Sequence, residues 1–305
     1  MQNNQQNTTK QPTAEELRAR RKKRWIRLGV VACSIVLFVA SVLGVLQIGC
    51  TYTANTLNFW TPDYAAQDIS SLFEKQTLSE EEYELLYRQT GLTKLAIDDM
   101  RDTANGRRKI LRIQSFFFKE KETFTYKFGP FTYMEELVRK ESSDYAVLAD
   151  IQDGDILVSS TMRFSWWRLG HSALVVDADE SLIIEAVSPG EKSDYNVAES
   201  FSYRGNFIIL RPKVEESTKQ QVVTWAKENL VGVPYWFGPG IIPKKYNGKA
   251  PKGTQCAHIV WYAYKKFGID LDYNGGPLVV GRDMLRSDKV EVVQVFGFDL
   301  DKLWQ

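Results

Sequence analysis

A chain of 305 residues with 25% charged and 44% apolar side chains has the composition of a folded protein, which excludes wholesale disorder. Its formal net charge of +1 gives no overall electrostatic case for nucleic-acid binding. Two of its three cysteines, Cys33 and Cys50, lie in or at the end of one apolar run, so a disulfide framework is excluded.

Residues 1–17 are rich in Gln, Asn and Thr without a period and read as a polar, disordered tail. Arg18, Arg20, Arg21, Lys22, Lys23, Arg24 and Arg27 then crowd one short stretch, while the rest of the chain is slightly acidic. The uncharged run Leu28–Cys50 has 23 residues, enough to cross a hydrocarbon core of about 30 Å at about 1.5 Å per residue. The basic cluster favours the cytoplasmic side, so the expectation is one membrane anchor (28–50) with a cytoplasmic tail (1–27) and everything later outside the cell membrane. The alternative is a lipoprotein acylated at Cys50, although Gln47 stands where such cleavage sites have an aliphatic residue.

Residues 51–149 read as a linker followed by a helical extracytoplasmic region. Trp60 and Tyr64, in the linker 51–66, are candidates for contacts at the membrane interface. Helical spacing runs from about Asp68 to Arg112, with Ser79 ahead of Glu80, Glu81 and Glu82 as an N-terminal signal and Gly91 as a break. Phe116–Met134 is aromatic and reads as strand or hairpin. No chemistry is visible in this region.

From residue 150 to 305 the pattern sharpens. Strands are expected at Asp155–Val158, His171–Val176, Ser181–Val187 and Asn206–Pro212, and a last one at Val290–Val295. Helices are expected at Ser217–Leu230, capped by Ser217 or Thr218, and at Thr254–Phe267, ending at Gly268. The fold class is therefore α+β, an antiparallel sheet packed on helices.

Two histidines and one cysteine outside the apolar run make the search for chemistry small. Cys256 heads a helix, where the unpaired N–H groups and the helix dipole favour thiolate. His171 opens an apolar strand. Glu185 is a carboxylate inside Leu182–Val187, a run that should be buried, so it needs a partner. If the acidic turn at 177–180 closes a hairpin, residues near 171–173 pair with residues near 185–187, which puts His171 and Glu185 on one face. An acid beside an imidazole fixes its tautomer, as in a catalytic triad. Asp177 and Asp179 are weaker candidates in a solvated turn. His258 points to the other side of its helix from Cys256 and is assigned a structural or substrate-lining role. No metal or other cofactor is expected, since no ligand partners stand at suitable spacing.

The segment Gly232-Val233-Pro234-Tyr235-Trp236, a loop, and then Cys256-Ala257-His258-Ile259-Val260 resembles the signature of the NlpC/P60 (papain-like) cysteine hydrolases. Ordinary members carry the histidine after the cysteine, and here none suitable follows. Gly154-Asp155-Ile156-Leu157, then Gly170-His171-Ser172-Ala173-Leu174, then Glu185 and Cys256 is similar to the circularly permuted branch, with the YiiX-like hydrolases and relatives of lecithin retinol acyltransferase. Over residues 150–295 that resemblance implies a permuted papain-like fold with Cys256 as nucleophile, His171 as base, Glu185 as third polar residue and Tyr235 shaping the site. Ala257 departs from the serine many relatives carry there. The function implied is a membrane-anchored amidase or peptidase acting through a thioester on a peptide or acyl substrate of the cell envelope, with peptidoglycan stem peptides in view. A lipid acyl hydrolase or acyltransferase, or an inactive envelope-binding module, are the alternatives. Met162–Arg168, just before His171, is expected either to wall the cleft or to pack as a loop of stacked Arg and Trp.

Overall fold

The basic cluster and the apolar run form one uninterrupted helix, α1 (Ala14–Thr53), 40 residues long. The computed structural model describes residues 13–53, 59–127, 129–141, 145–242 and 244–303. Helix α1 starts inside the stretch expected to be disordered, because Thr13 and Glu16 cap it reciprocally: Glu16 N donates to Thr13 Oγ1 and Thr13 N to Glu16 Oε2. Residues 1–12 of that tail lie outside the described residues. The apolar side chains of α1 from Leu28 to Val45 project outward, uncovered by protein, and the helix is long and apolar enough to cross a membrane.

A helical layer follows. After a 3₁₀ turn (Ser70–Glu74) come α2 (Glu80–Thr90), α3 (Lys94–Met100) and α4 (Ala104–Phe118). Ser79 and Glu82 form the reciprocal cap at the start of α2, and Gly91 ends that helix with φ +72°. Glycine is required there twice over, since a Cβ would also stand 2.0 Å from the Val295 carbonyl oxygen. Trp60 and Tyr64 pack, half-buried, against the helical layer. Trp60 packs edge-on to Phe117, and the Tyr64 hydroxyl donates to the Arg88 carbonyl at 2.6 Å.

The strands form two antiparallel sheets. A hairpin of β1 (Thr123–Lys127) and β2 (Thr132–Leu137) is extended by β4 (Met162–Phe164). The larger sheet uses β3 (Ile156–Ser159), β5 (His171–Asp177), β6 (Leu182–Glu185), β7 (Asp194–Val197), β8 (Phe207–Pro212) and β9 (Val290–Phe296), in the order β7-β6-β5-β3-β8-β9. Strand β9 is not left as an open edge, because Thr93 N donates to Val293 O and Val295 N to Gly91 O. The aromatic stretch 116–134 therefore divides: Phe116–Phe118 finish α4 and the rest supplies the hairpin.

Three helices complete the chain: α5 (Glu216–Asn229), α6 (Cys256–Lys265) and α7 (Gly281–Leu285). Helix α5 starts one residue earlier than expected, with Glu215 at the cap position and no side-chain cap, so Ser217 and Thr218 lie inside it. Helices α5 and α6 both pack on β5. One hydrophobic core runs from Ile69 through the helical layer and the large sheet to Leu300, crossing residue 150 without a break.

Asp155, fully buried before β3, ties these layers together. Arg211 of β8 donates to it through Nε at 2.9 Å and Nη2 at 2.8 Å, and reaches Asp99 of α3 through Nη1 at 2.6 Å. Burial holds the Asp155 carboxyl above the ordinary carboxylate range despite Arg211, so the pair is costly to desolvate and costlier to break. Asp155→Ala is expected to lower unfolding free energy by about 3–5 kcal/mol in chemical denaturation. Lys94→Ala, which removes the exposed ion pair to Glu80, should leave the midpoint near the parent value. Equal effects would show that the buried network does not hold the layers.

Candidate active site

The hairpin of β5 and β6 sets the site. Its register pairs Ala173 with Glu185 and Leu174 with Ile184. Side chains alternate along a strand, so His171, Ala173 and Glu185 share one face. His171 is the first residue of β5 and Glu185 the last of β6, both buried. Imidazole Nε2 and carboxylate Oε2 stand 2.5 Å apart. On the next strand Asp194 pairs with Glu185 and Ile183 with Asn196, so Asn196 reaches the same face. Its amide donates to the other carboxylate oxygen, Oε1, at 2.6 Å.

A carboxylate can only accept, so the proton of the neutral imidazole sits on Nε2. That leaves Nδ1 as the free lone pair. Nδ1 is buried and makes no hydrogen bond of ordinary geometry, while the Cys256 thiol stands close enough to favour the imidazolium.

Cys256 is the first residue of α6, and the helix is laid across β5 by its apolar face. Gln255 caps the helix: its Oε1 accepts from Ala257 N at 2.8 Å, and its Nε2 donates to the Val279 carbonyl at 2.6 Å. The thiol lies 3.3 Å from Gln255 Oε1 and 3.9 Å from the Gly170 carbonyl oxygen. Among the hydrogen bonds of the described residues, the Cys256 backbone N–H has no protein acceptor. Sulfur, an unpaired N–H and the positive end of a helix thus coincide.

Electrostatics follow the contacts. Burial raises a carboxyl, but His171 and the hydrogen bonds from His171 and Asn196 outweigh it and bring Glu185 down to about 2. Burial and Arg204 both disfavour a charged His171; Glu185 and the thiol overcome them, and its pKa ends above the ordinary value. Arg204 is itself buried, stacked over Phe201 at 4.6 Å, and Phe201 lies against the His171 ring at 5.7 Å.

Tyr235 is placed by its backbone. Thr254 N donates to Pro234 O and Trp236 N to Thr254 O, so Gly232–Trp236 is stitched to Thr254, two residues before Cys256. Burial, with Cys256 nearby, pushes the Tyr235 hydroxyl well above the usual tyrosine range. His258 stays apart from the thiol: Nε2 donates to the Lys245 carbonyl at 2.8 Å, and Nδ1 accepts from the Thr254 hydroxyl at 2.9 Å. Burial lowers it to about 4.

In the loop before His171, Arg168 grips Glu135 with two bonds of 3.0 Å. Trp167 stacks on Phe164. Asn196, Arg204 and Gln255 belong to the site but escaped the sequence reading. Only Gln255, just before the helix-heading cysteine, had a positional signal as a cap. Among the described residues no cluster of three or more His, Cys, Asp and Glu side chains is arranged to hold a metal. The chain matches no family model, curated protein or solved structure.

A raised His171 stabilises the fold fully below its ordinary value of 6.5, and that contribution is lost as pH rises through the raised value. A depressed Glu185 stabilises above its ordinary 4.5 and loses that as pH falls towards 2. The stability deficit of Glu185→Gln should therefore be greatest between pH 4.5 and 6.5 and shrink on either side. With only two histidines, imidazole NMR reads the pair directly: one should titrate above 6.5 and one near 4. Only the higher should fall in Glu185→Gln, and an unmoved His171 would contradict this account.

Proposed function

We propose that this chain is a cysteine hydrolase anchored in the membrane by α1, with Cys256 as nucleophile, His171 as general base and Glu185 orienting the base. The observation that carries it is the division of labour at His171: Nε2 is held by Glu185, and Nδ1 is left without a hydrogen bond beside the thiol. The order histidine strand, acidic strand, cysteine helix supports a permuted papain-like arrangement of the NlpC/P60 type.

In the first step the Cys256 proton passes to His171 Nδ1 and the sulfur adds to a substrate carbonyl. The developing oxyanion takes the free Cys256 N–H. Collapse expels the amine, which receives the proton from His171, and leaves a thioester on Cys256. Water, deprotonated by the same nitrogen, attacks the thioester; the acid departs and the thiol regains its proton. Cys256 is 6% exposed, so little of the residue is open to solvent.

The basic residues before Leu28 favour a cytoplasmic N-terminus and an outward site. Helix α1 runs through Cys50, whose sulfur is buried against Phe131, which favours an uncleaved span over acylation at that residue. The substrate is then an amide in the cell envelope, with stem peptides as first candidates. A second reading, an acyl-lipid ester or amide, is favoured by the exposed Trp166, Trp167, Trp236 and Phe237 around the segments that hold Gly170 and Tyr235.

The test follows alkylation of Cys256 in a Cys33→Ser, Cys50→Ser chain, alone and with His171→Ala. Labelling near pH 6 should slow markedly without the imidazole. On a peptide or ester substrate, His171→Ala should cost about 10²–10⁴-fold in turnover and Cys256→Ala should abolish it. A labelling rate indifferent to His171, with no turnover, would make the chain an envelope-binding module.

A further inference from the structure

The end of α1 does not merely tether the domain. Ser165 Oγ donates to the Leu46 carbonyl at 2.7 Å, and Gly49 lies flat against Trp166, where a Cβ would come within 2.1 Å of the indole. Residues 46–50 are also the last of the apolar run, the level at which α1 leaves the hydrocarbon. Trp166 is therefore fixed at the height of the lipid headgroups.

From Trp166 an apolar surface continues without a break. Trp166 meets Trp167 at 4.8 Å, Trp167 stacks on Phe164, and Phe164 meets Phe237 at 5.6 Å. Next to Phe237, Trp236 donates from its indole to the Ile242 carbonyl, which holds Ile241 and Ile242 at the tip. These are large side chains left in solvent: Trp236 is 50% exposed and Ile242 72%. A contiguous patch of this kind marks a binding surface. Lys244, Lys249 and Lys252 follow it and are exposed, suited to anionic headgroups. Tryptophan and lysine around an apolar wedge are the side chains of a membrane interface.

We propose that this face, Trp166–Trp167 with Trp236–Ile242, docks on the same phospholipid bilayer that α1 spans, so that the Cys256 site sits at the headgroup layer. The proposal rests on the reading of α1 as a membrane span and not on the hydrolase reading. The occupant is the bilayer because the patch is continuous with the point where α1 emerges. It also limits the substrate: the bond cleaved must lie at or near the membrane surface.

The experiment uses the full chain, with Cys33→Ser, Cys50→Ser and Cys256→Ala, in vesicles of phosphatidylcholine and phosphatidylglycerol. An environment-sensitive fluorophore is attached at Phe38→Cys (mid-span), Phe237→Cys, Ile242→Cys or Asp288→Cys. Asp288 lies at the opposite end of the large sheet, where β8 ends and β9 begins. Quenching by lipids brominated on the acyl chains is the readout. The expected result is blue-shifted, strongly quenched emission at 38, 237 and 242, and unshifted, unquenched emission at 288. If 38 is quenched while 237 and 242 behave like 288, docking is wrong and the span stands. Unquenched emission at 38 overturns both. A blue shift at 242 without quenching means that another protein surface, such as a second copy, covers the patch, which also overturns the proposal.

Discussion

The pairing of Ala173 with Glu185 governs the rest of the site. A register slip of one residue would turn Glu185 to the other face of the sheet and leave a carboxylate buried among apolar side chains. In the observed register the cost of burying His171 and Glu185 is offset within the pair, and Asn196 satisfies the remaining carboxylate oxygen. The hairpin, the polarity of the imidazole and the direction of its free nitrogen are thus one constraint. Glu185 without His171 would be raised by burial, and His171 without Glu185 would be lowered by burial and by Arg204.

Helix α6 has to meet that constraint from the other side. Its buried face, from Ala257 through Tyr264, sets its position on β5, and the Tyr264 hydroxyl closes on the Gly154 carbonyl at 2.5 Å. The start of the helix is set separately by Gln255, which supplies the missing cap acceptor. Position along the strand and the point of helix initiation together bring the sulfur to Gly170, the residue just before His171. A helix beginning one turn later would carry Cys256 in a loop, with its N–H no longer at the helix end.

Much of this was legible in the sequence, for physical reasons. A charged residue in a buried run demands a partner, and parity alone narrows the partner of Glu185 to a residue on the face of His171. The helix-heading position of Cys256 followed from the Gly- and Lys-rich loop before it and the apolar stripe after it. Asn196 and Arg204 were not legible. Asn196 sits on β7, a four-residue strand exposed along its length, too short for its Asp-Tyr-Asn-Val alternation to stand out. Arg204 is buried against β2, with Nη1 3.5 Å from Met134 Sδ and its backbone bridged to Glu136, contacts that no local spacing encodes. The ring contacts of Trp60 and Tyr64 with Phe117 and Phe118 of α4 were not legible either, since they join segments more than 50 residues apart. In sequence Trp236 was read as part of the Gly232–Trp236 element and Ile242 as part of the loop after it.

The short segment from Ser165 to Gly170 joins two otherwise separate features of the molecule. At one end it holds the last turns of α1, and at the other its carbonyl faces the Cys256 thiol. Five residues of extended chain span roughly 18 Å at most, and Gly170 N is pinned back to Met162 O, which shortens the path. That path, with the contacts of 2.7 Å to Leu46 and 3.9 Å to the sulfur at its two ends, limits how far the Cys256 thiol can stand from the last turns of α1. A flexible tether after α1 would have let the domain explore the envelope. The contact of Gly49 with Trp166 holds the end of α1 against the domain, and with α1 in a bilayer, as proposed, it would trade reach for a fixed height above the lipid. Hydrolysis of a bond deep in a cell-wall layer would need reach, whereas a bond carried by or near the bilayer needs only the height that this contact sets.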